Sequence, residues 1–118
     1  VLVRRTDREK SFVSLEDLET AVKEQLETVR GQMYEKALER RESMTYSVST
    51  LEELKETADN KPGFIKAMWC GDRACEEKLK EVAGVSSRCI PFQQEHVGDT
   101  CVCCGKPAAA MVYWGKAY

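Results

Sequence analysis

Six cysteines carry the chemistry that this sequence can support, and all six lie in its second half. Cys70 and Cys75 form a C-x4-C pair. Cys101, Cys103, Cys104 and Gly105 form a second cluster, and Cys89 stands alone between the two. Zinc takes four soft ligands in a tetrahedron, and two short chelate loops supply them at little closure cost. The spacing therefore predicts a zinc site on Cys70, Cys75, Cys101 and Cys104, with Cys103 able to replace Cys101 or Cys104. Four thiolates leave no open position for water, so the metal would be structural. Gly71 and Gly105 follow cysteines of each pair, where free φ and ψ let backbone N–H groups turn toward sulfur. Cys75 is expected in the first turn of a helix capped by Asp72, where the helix dipole favours a thiolate.

Other chemistries fit less well. Disulfides need an oxidising compartment that nothing in the sequence supports. A redox dithiol usually opens a helix, whereas Cys104 runs into the turn Gly105-Lys106-Pro107. Cys89 reads as a small buried apolar residue and His96, the one histidine, as a solvated loop residue. Phe64, Trp69, Phe92, Tyr113 and Trp114 could form a base-stacking platform, but at strand positions they read as core. Arg4, Arg5, Arg8 and Lys10 read as solvated charges. No nucleophile–base pair, P-loop or dinucleotide fingerprint is present, so no catalytic residue is assigned.

The elements that must position the thiols follow from periodicity and caps. Thr45 to Val48 reads as a short strand, followed by a helix capped by Ser49 or Thr50 and ended by Asn60-Lys61-Pro62-Gly63. FIKAMW is a strand, and Asp72 opens a helix that Gly84 stops. SSRCIPF is another strand. The polar loop QQEHVGDT leads into CVCCGKP, and AAAMVYW is the last strand. The expected fold class is α+β: a two-layer β-α-β-α-β-β sandwich with a zinc knuckle, two helices on one face of the sheet and the other face wet.

A long amphipathic helix precedes it. Leu15, Leu18, Val22, Leu26, Val29, Met33 and Ala37 recur at helical spacing, with Ser14 as the expected N-cap and Val13 as a staple residue. A helix from 15 to about 43 would be roughly 43 Å long. Before it, VLVRR reads as the end of a strand and Thr6 to Lys10 as a polar turn, so further sequence is expected upstream.

The chain has 118 residues, one domain's worth, with a net charge of −2 that argues against a phosphate-coating role. Its halves differ: residues 1–60 carry ten basic and fourteen acidic side chains, and residues 61–118 eight and six. The longest apolar run, Ala108 to Trp114, is far short of the roughly 20 residues that span a bilayer. No basic-then-apolar leader opens the chain, so a cytoplasmic protein without membrane contact is expected.

MWCGDRACEEKLKEVAG, SSRCIPF, CVCCGKPA and MVYWGKAY, in this order, resemble the C-terminal region of prolyl-tRNA synthetases of the archaeal/eukaryotic type. VLVRRTDREK resembles the last strand and turn of their anticodon-binding domain, although Thr6-Asp7-Arg8 stands where the family usually has Asp-Thr-Gly. The resemblance implies three segments: 1–13, the end of the anticodon-binding domain; 14–44, a long connecting helix; and 45–118, a C-terminal zinc-binding domain. It implies an enzyme that uses ATP and Mg²⁺ to join proline to tRNA(Pro) and works as a homodimer, with its catalytic domain upstream of this chain. The family's C-x4-C falls on Cys70 and Cys75, and its second pair on Cys104 with Cys101 or Cys103. The family's terminal Tyr, directed toward the catalytic domain, falls on Tyr118, with Gly115 and Lys116 as a flexible lead-in. The competing reading is a free-standing zinc module that binds RNA or protein.

Overall fold

A computed structural model describes residues 1–117, so the expectation placed on Tyr118 lies outside the described residues. The chain divides into two compact units, residues 1–42 and residues 43–118. Among the described residues no helix is long and apolar enough to cross a membrane.

The first unit opens with strands β1 (Leu2–Val3) and β2 (Lys10–Ser11), paired antiparallel with Leu2 opposite Ser11. The expected polar turn is thus a hairpin whose second strand the sequence pattern did not show. Its loop is closed by the Arg4 N–H on the Glu9 carbonyl and the Arg8 N–H on the Arg4 carbonyl. The Arg4 guanidinium also holds the carboxylates of Asp7, at 2.9 Å, and Glu9. Arg8 sits at φ 61°, a left-handed conformation that costs an L-residue about 1–2 kcal/mol.

Helix α1 (Leu18–Ser43) runs unbroken through Gly31. It begins later than the periodicity suggested. Ser14 does not cap it: the Ser14 hydroxyl accepts the Asp17 N–H and donates to the Asp17 carboxylate, closing a separate turn. The Asp17 carbonyl then accepts the first helical bond, from Ala21. No residue of α1 is buried, and Leu26 and Met33 are 63% and 62% exposed.

The second unit has the expected element order: β3 (Thr45–Ser47), α2 (Leu51–Asn60), β4 (Phe64–Trp69), α3 (Arg73–Ala83), β5 (Val85–Cys89) and β6 (Ala110–Lys116). The strands lie in the order β3-β4-β6-β5, with β3 parallel to β4 and β6 antiparallel to both its neighbours. Thr50 caps α2 and Glu53 returns a hydrogen bond to the cap, a capping box. Asp72 caps α3, and Gly84 ends it in the left-handed conformation. Gly63 is required before β4, since a Cβ there would lie 1.9 Å from the Met44 carbonyl oxygen.

Pairing of Ile65 with Trp114 and of Ala67 with Val112 puts four buried side chains on one sheet face. They join Leu54 of α2 and Leu79 and Ala83 of α3 in a single core that also includes Val48, Val85 and Val102. Each such large aliphatic side chain contributes about 1.5–3 kcal/mol by burial.

The opposite face, expected to be wet, is partly covered by the segment between β5 and β6. Lys66 pairs with Glu95 at 2.7 Å and lies over the Tyr113 ring. The Gln94 side-chain amide accepts the Met111 N–H at 2.6 Å and donates to the Met111 carbonyl at 3.4 Å, so a side chain takes the place of a strand partner. Met111 is fully buried.

Four further expectations are corrected. Cys89 is exposed, because β5 is an edge strand whose register shifts between Ser87 and Cys89. Phe92 is fully exposed in the loop beyond β5, and Phe64 is 43% exposed at the start of β4; neither is core. Gly115 and Lys116 belong to β6, paired with Ser86 and Val85, rather than to a flexible lead-in.

Candidate metal centre

Three elements bring the thiols together. Cys70 follows β4 directly and Gly71, at φ 88°, turns the chain back toward α3. Cys75 stands in the first turn of α3, positioned by the Asp72 cap, whose carboxylate accepts the Ala74 N–H at 2.9 Å. Cys101 and Cys104 come from the loop before β6. That loop is a tight reversal in which the Cys101 N–H donates to the Lys106 carbonyl, the Gly105 N–H donates to the Cys101 carbonyl, and Thr100 bridges Pro107. Gly105 has φ 71°. The Val102 N–H donates to the Met68 carbonyl and the Ala109 N–H to the Trp69 carbonyl, which fastens the loop beside the end of β4.

The sulfurs of Cys70, Cys75, Cys101 and Cys104 all lie within 4.8 Å of one another. Cys70 to Cys75 is 3.6 Å and Cys70 to Cys104 is 3.7 Å. Disulfide sulfurs sit about 2.05 Å apart, so these are separate thiols. Sulfurs about 2.3 Å from a zinc ion in a tetrahedron stand about 3.8 Å from each other, and the observed spacing fits that cage. Cys75 and Cys101 are buried, Cys70 is half-buried and Cys104 is exposed. Cys103 lies outside the group and packs against the hydrophobic core. His96 is exposed, where its Nε2 meets Asp99 at 3.2 Å.

The surroundings treat the thiols unequally. Burial raises the Cys101 thiol, but the backbone N–H groups of Cys103, Cys104 and Cys70 outweigh it and bring the thiol down to about 7. Cys70 is favoured as thiolate by the Asp72 backbone N–H, yet burial and the Cys101 thiol leave it raised. Without a metal, Cys75 stands at the other extreme. Burial first, then hydrogen bonds with Cys104 and Cys70, push it well above the usual thiol range. Four thiolates this close repel one another strongly, so all four can ionise together only around a cation.

The family model described as prolyl-tRNA synthetase, C-terminal, matches residues 51–118. The chain belongs to the prolyl-tRNA synthetase family. Its whole length is 64% identical to a proline–tRNA ligase of Clostridium novyi, 58% to one of Clostridium botulinum and 59% to proline–tRNA ligase 2 of Bacillus thuringiensis. The chain spans about a quarter of the length of these curated relatives, covering 25% of each. Prolyl-tRNA synthetase of Cryptosporidium parvum, solved with L-proline and AMP, superposes on 98% of the chain with a TM-score of 0.88 at 28% identity, again over 25% of that protein. The same synthetase with halofuginone and AMPPNP gives 0.89. The expected family is thus the one found, and the α+β sandwich that ends it matches the family's fold.

Sequence reasoning missed the polar ties that seat the cluster's surroundings, Gln94 to Met111 and Lys66 to Glu95. Their members lie 17 and 29 residues apart, with no local pattern to announce them.

Proposed function

We propose that this chain is the C-terminal part of an enzyme that ligates proline to tRNA(Pro) with ATP and Mg²⁺ in the cytoplasm, as a homodimer. Its catalytic domain lies upstream. Residues 1–13 end the anticodon-binding domain, residues 14–44 are the connecting segment that carries α1, and residues 45–118 form the zinc-binding domain. Cys70, Cys75, Cys101 and Cys104 hold zinc, which supplies a cross-link and no chemistry. The four thiols come from the end of β4, the start of α3 and the loop before β6. Holding them together therefore fixes the segment that enters the central strand β6. Cys103 serves the core. Tyr118 is directed to the catalytic domain.

The observation that carries the enzymatic reading is the match of the whole chain to proline–tRNA ligases at up to 64% identity. The metal reading is carried by the four-sulfur cage. The test uses the full-length protein bearing this chain. Proline-dependent exchange of pyrophosphate into ATP is expected, with one zinc per chain by elemental analysis. Absence of exchange with proline would overturn the activity, and a zinc content near zero after aerobic and anaerobic purification would overturn the metal.

A further inference from the structure

The four sulfurs of the cage differ in their access to solvent. Cys75 and Cys101 are 7% and 2% exposed, Cys70 is half-buried, and Cys104 is the one of the four that is exposed. Cys104 lies on the tight loop before β6. Beside it, a Cβ added at Gly105 would meet no atom within 4 Å, so the loop has room to shift there. The Cys104 sulfur stands 3.7 Å from that of Cys70. A disulfide needs about 2.05 Å, so these two sulfurs have less than about 2 Å to close. Cys89 is also exposed but stands outside the cage, and Cys103 packs on the core.

We propose that the cage is a peroxide-sensitive switch in which Cys104 meets the oxidant and a Cys70–Cys104 disulfide expels the zinc. This inference rests on the reading that the cage holds zinc. Metal binding keeps cysteine sulfur in the thiolate form, and the thiolate is what attacks a hydroperoxide. In the first step the Cys104 thiolate attacks one oxygen of hydrogen peroxide. An S–O bond forms, the O–O bond breaks, and the other oxygen leaves as hydroxide, with Cys104 now a sulfenic acid. In the second step the Cys70 thiolate attacks the Cys104 sulfur, the S–S bond forms, and the S–O bond breaks as a second hydroxide leaves. Both hydroxides take a proton from solvent and become water, so the peroxide has gained two electrons, one from each sulfur. Zinc is left with Cys75 and Cys101, two ligands where a closed site needs four. The disulfide keeps the end of β4 joined to the loop before β6, while α3, which supplies only Cys75, loses its link.

The test titrates the full-length protein bearing this chain with hydrogen peroxide, after its zinc has been counted. Zinc release is followed with a metal-sensitive dye, disulfides are mapped by peptide mass spectrometry, and hydrogen exchange is read along α3. The expected result is about one zinc released for each Cys70–Cys104 disulfide, with faster exchange in the first turn of α3. A dithiol reductant with added zinc should reverse all three. Cys89→Ser should release zinc as the parent does, because its sulfur lies outside the cage. Zinc retained at peroxide levels that oxidise Cys89 overturns the switch alone, as does zinc lost with disulfides that leave out Cys104 or Cys70. An untreated protein without zinc overturns the zinc reading, and the switch with it.

Discussion

Helix α1 carries six apolar side chains at helical spacing over 26 residues and buries none, whereas α2 and α3, each less than half as long, bury Leu54, Leu79 and Ala83. The two units are built by different means. Residues 43–118 close a sheet and two helices around Trp114, Leu54, Leu79, Val85 and Val112, all under 2% exposed. Residues 1–42 hold their shape through surface contacts: Arg4 with Asp7 and Glu9, Thr6 and Asp7 with Gln32, and Lys23 with Glu19. An exposed pair such as Lys23–Glu19 is worth about 0–1 kcal/mol, against about 1.5–3 for one buried large side chain. An apolar stripe shows which side of a helix can be covered, and only a neighbouring layer turns that stripe into stability.

The largest expected break in this comparison comes from the proposed zinc. Chelation, or Cys75→Ser at the buried sulfur, should cost the second unit several kcal/mol, because structural zinc couples directly to folding. Hydrogen exchange should then accelerate in β4 and β6 with little change in α1, whose unburied amides are expected to exchange faster from the outset. Unaltered cooperative melting after complete chelation would remove zinc from the account.

Next come two leucines of opposite burial. Leu79→Ala, at a side chain with no exposure, should cost about 3–4 kcal/mol by denaturant unfolding. Leu26→Ala, 63% exposed, should stay within about 0.5 kcal/mol in this chain. Equal losses would show that the stripe on α1 is packed after all.

The hairpin offers a smaller effect, and in the stabilising direction. Arg8→Gly should stabilise the first unit by up to about 1 kcal/mol, since glycine accepts φ 61° without strain. A fall in hairpin protection would show that the Arg8 side chain contributes more than its backbone costs.

The smallest effects lie on the acid side. Asp7 is held below the usual carboxylate value first by its hydrogen bond from Arg4, and Glu53 first by the Ser49 and Thr50 backbone N–H groups of its cap. Both folded values are depressed, so the stabilisation is full above the ordinary carboxylate pKa, near 4, and is lost as pH falls through the folded values. Arg4→Gln should return Asp7 toward its ordinary value in an NMR titration and leave Glu53 unmoved. A shift of Glu53 in that variant would contradict the local origin of its depression in the Ser49 and Thr50 N–H groups.

Local chemistry was legible in the sequence wherever one short stretch holds both partners. The Asp72 cap, the Gly84 stop, a cap at Ser49 or Thr50 and the two cysteine pairs all act within five residues, and the structure chose Thr50 and added the return bond of Glu53. The order of elements from Thr45 onward followed from the same signals, as did the resemblance to prolyl-tRNA synthetases. Tertiary structure decided the rest. It placed β6 between β4 and β5, turned Cys89 and Phe92 outward, and drew Gln94 onto Met111. It also separated Cys103, which packs on the core, from Cys101 and Cys104, which face Cys70 and Cys75. Spacing limits which thiols can share one turn. Which sulfurs converge depends on where the loop backbone is fastened, and here that is set by the bonds of Val102 to Met68 and of Ala109 to Trp69, between segments more than 30 residues apart.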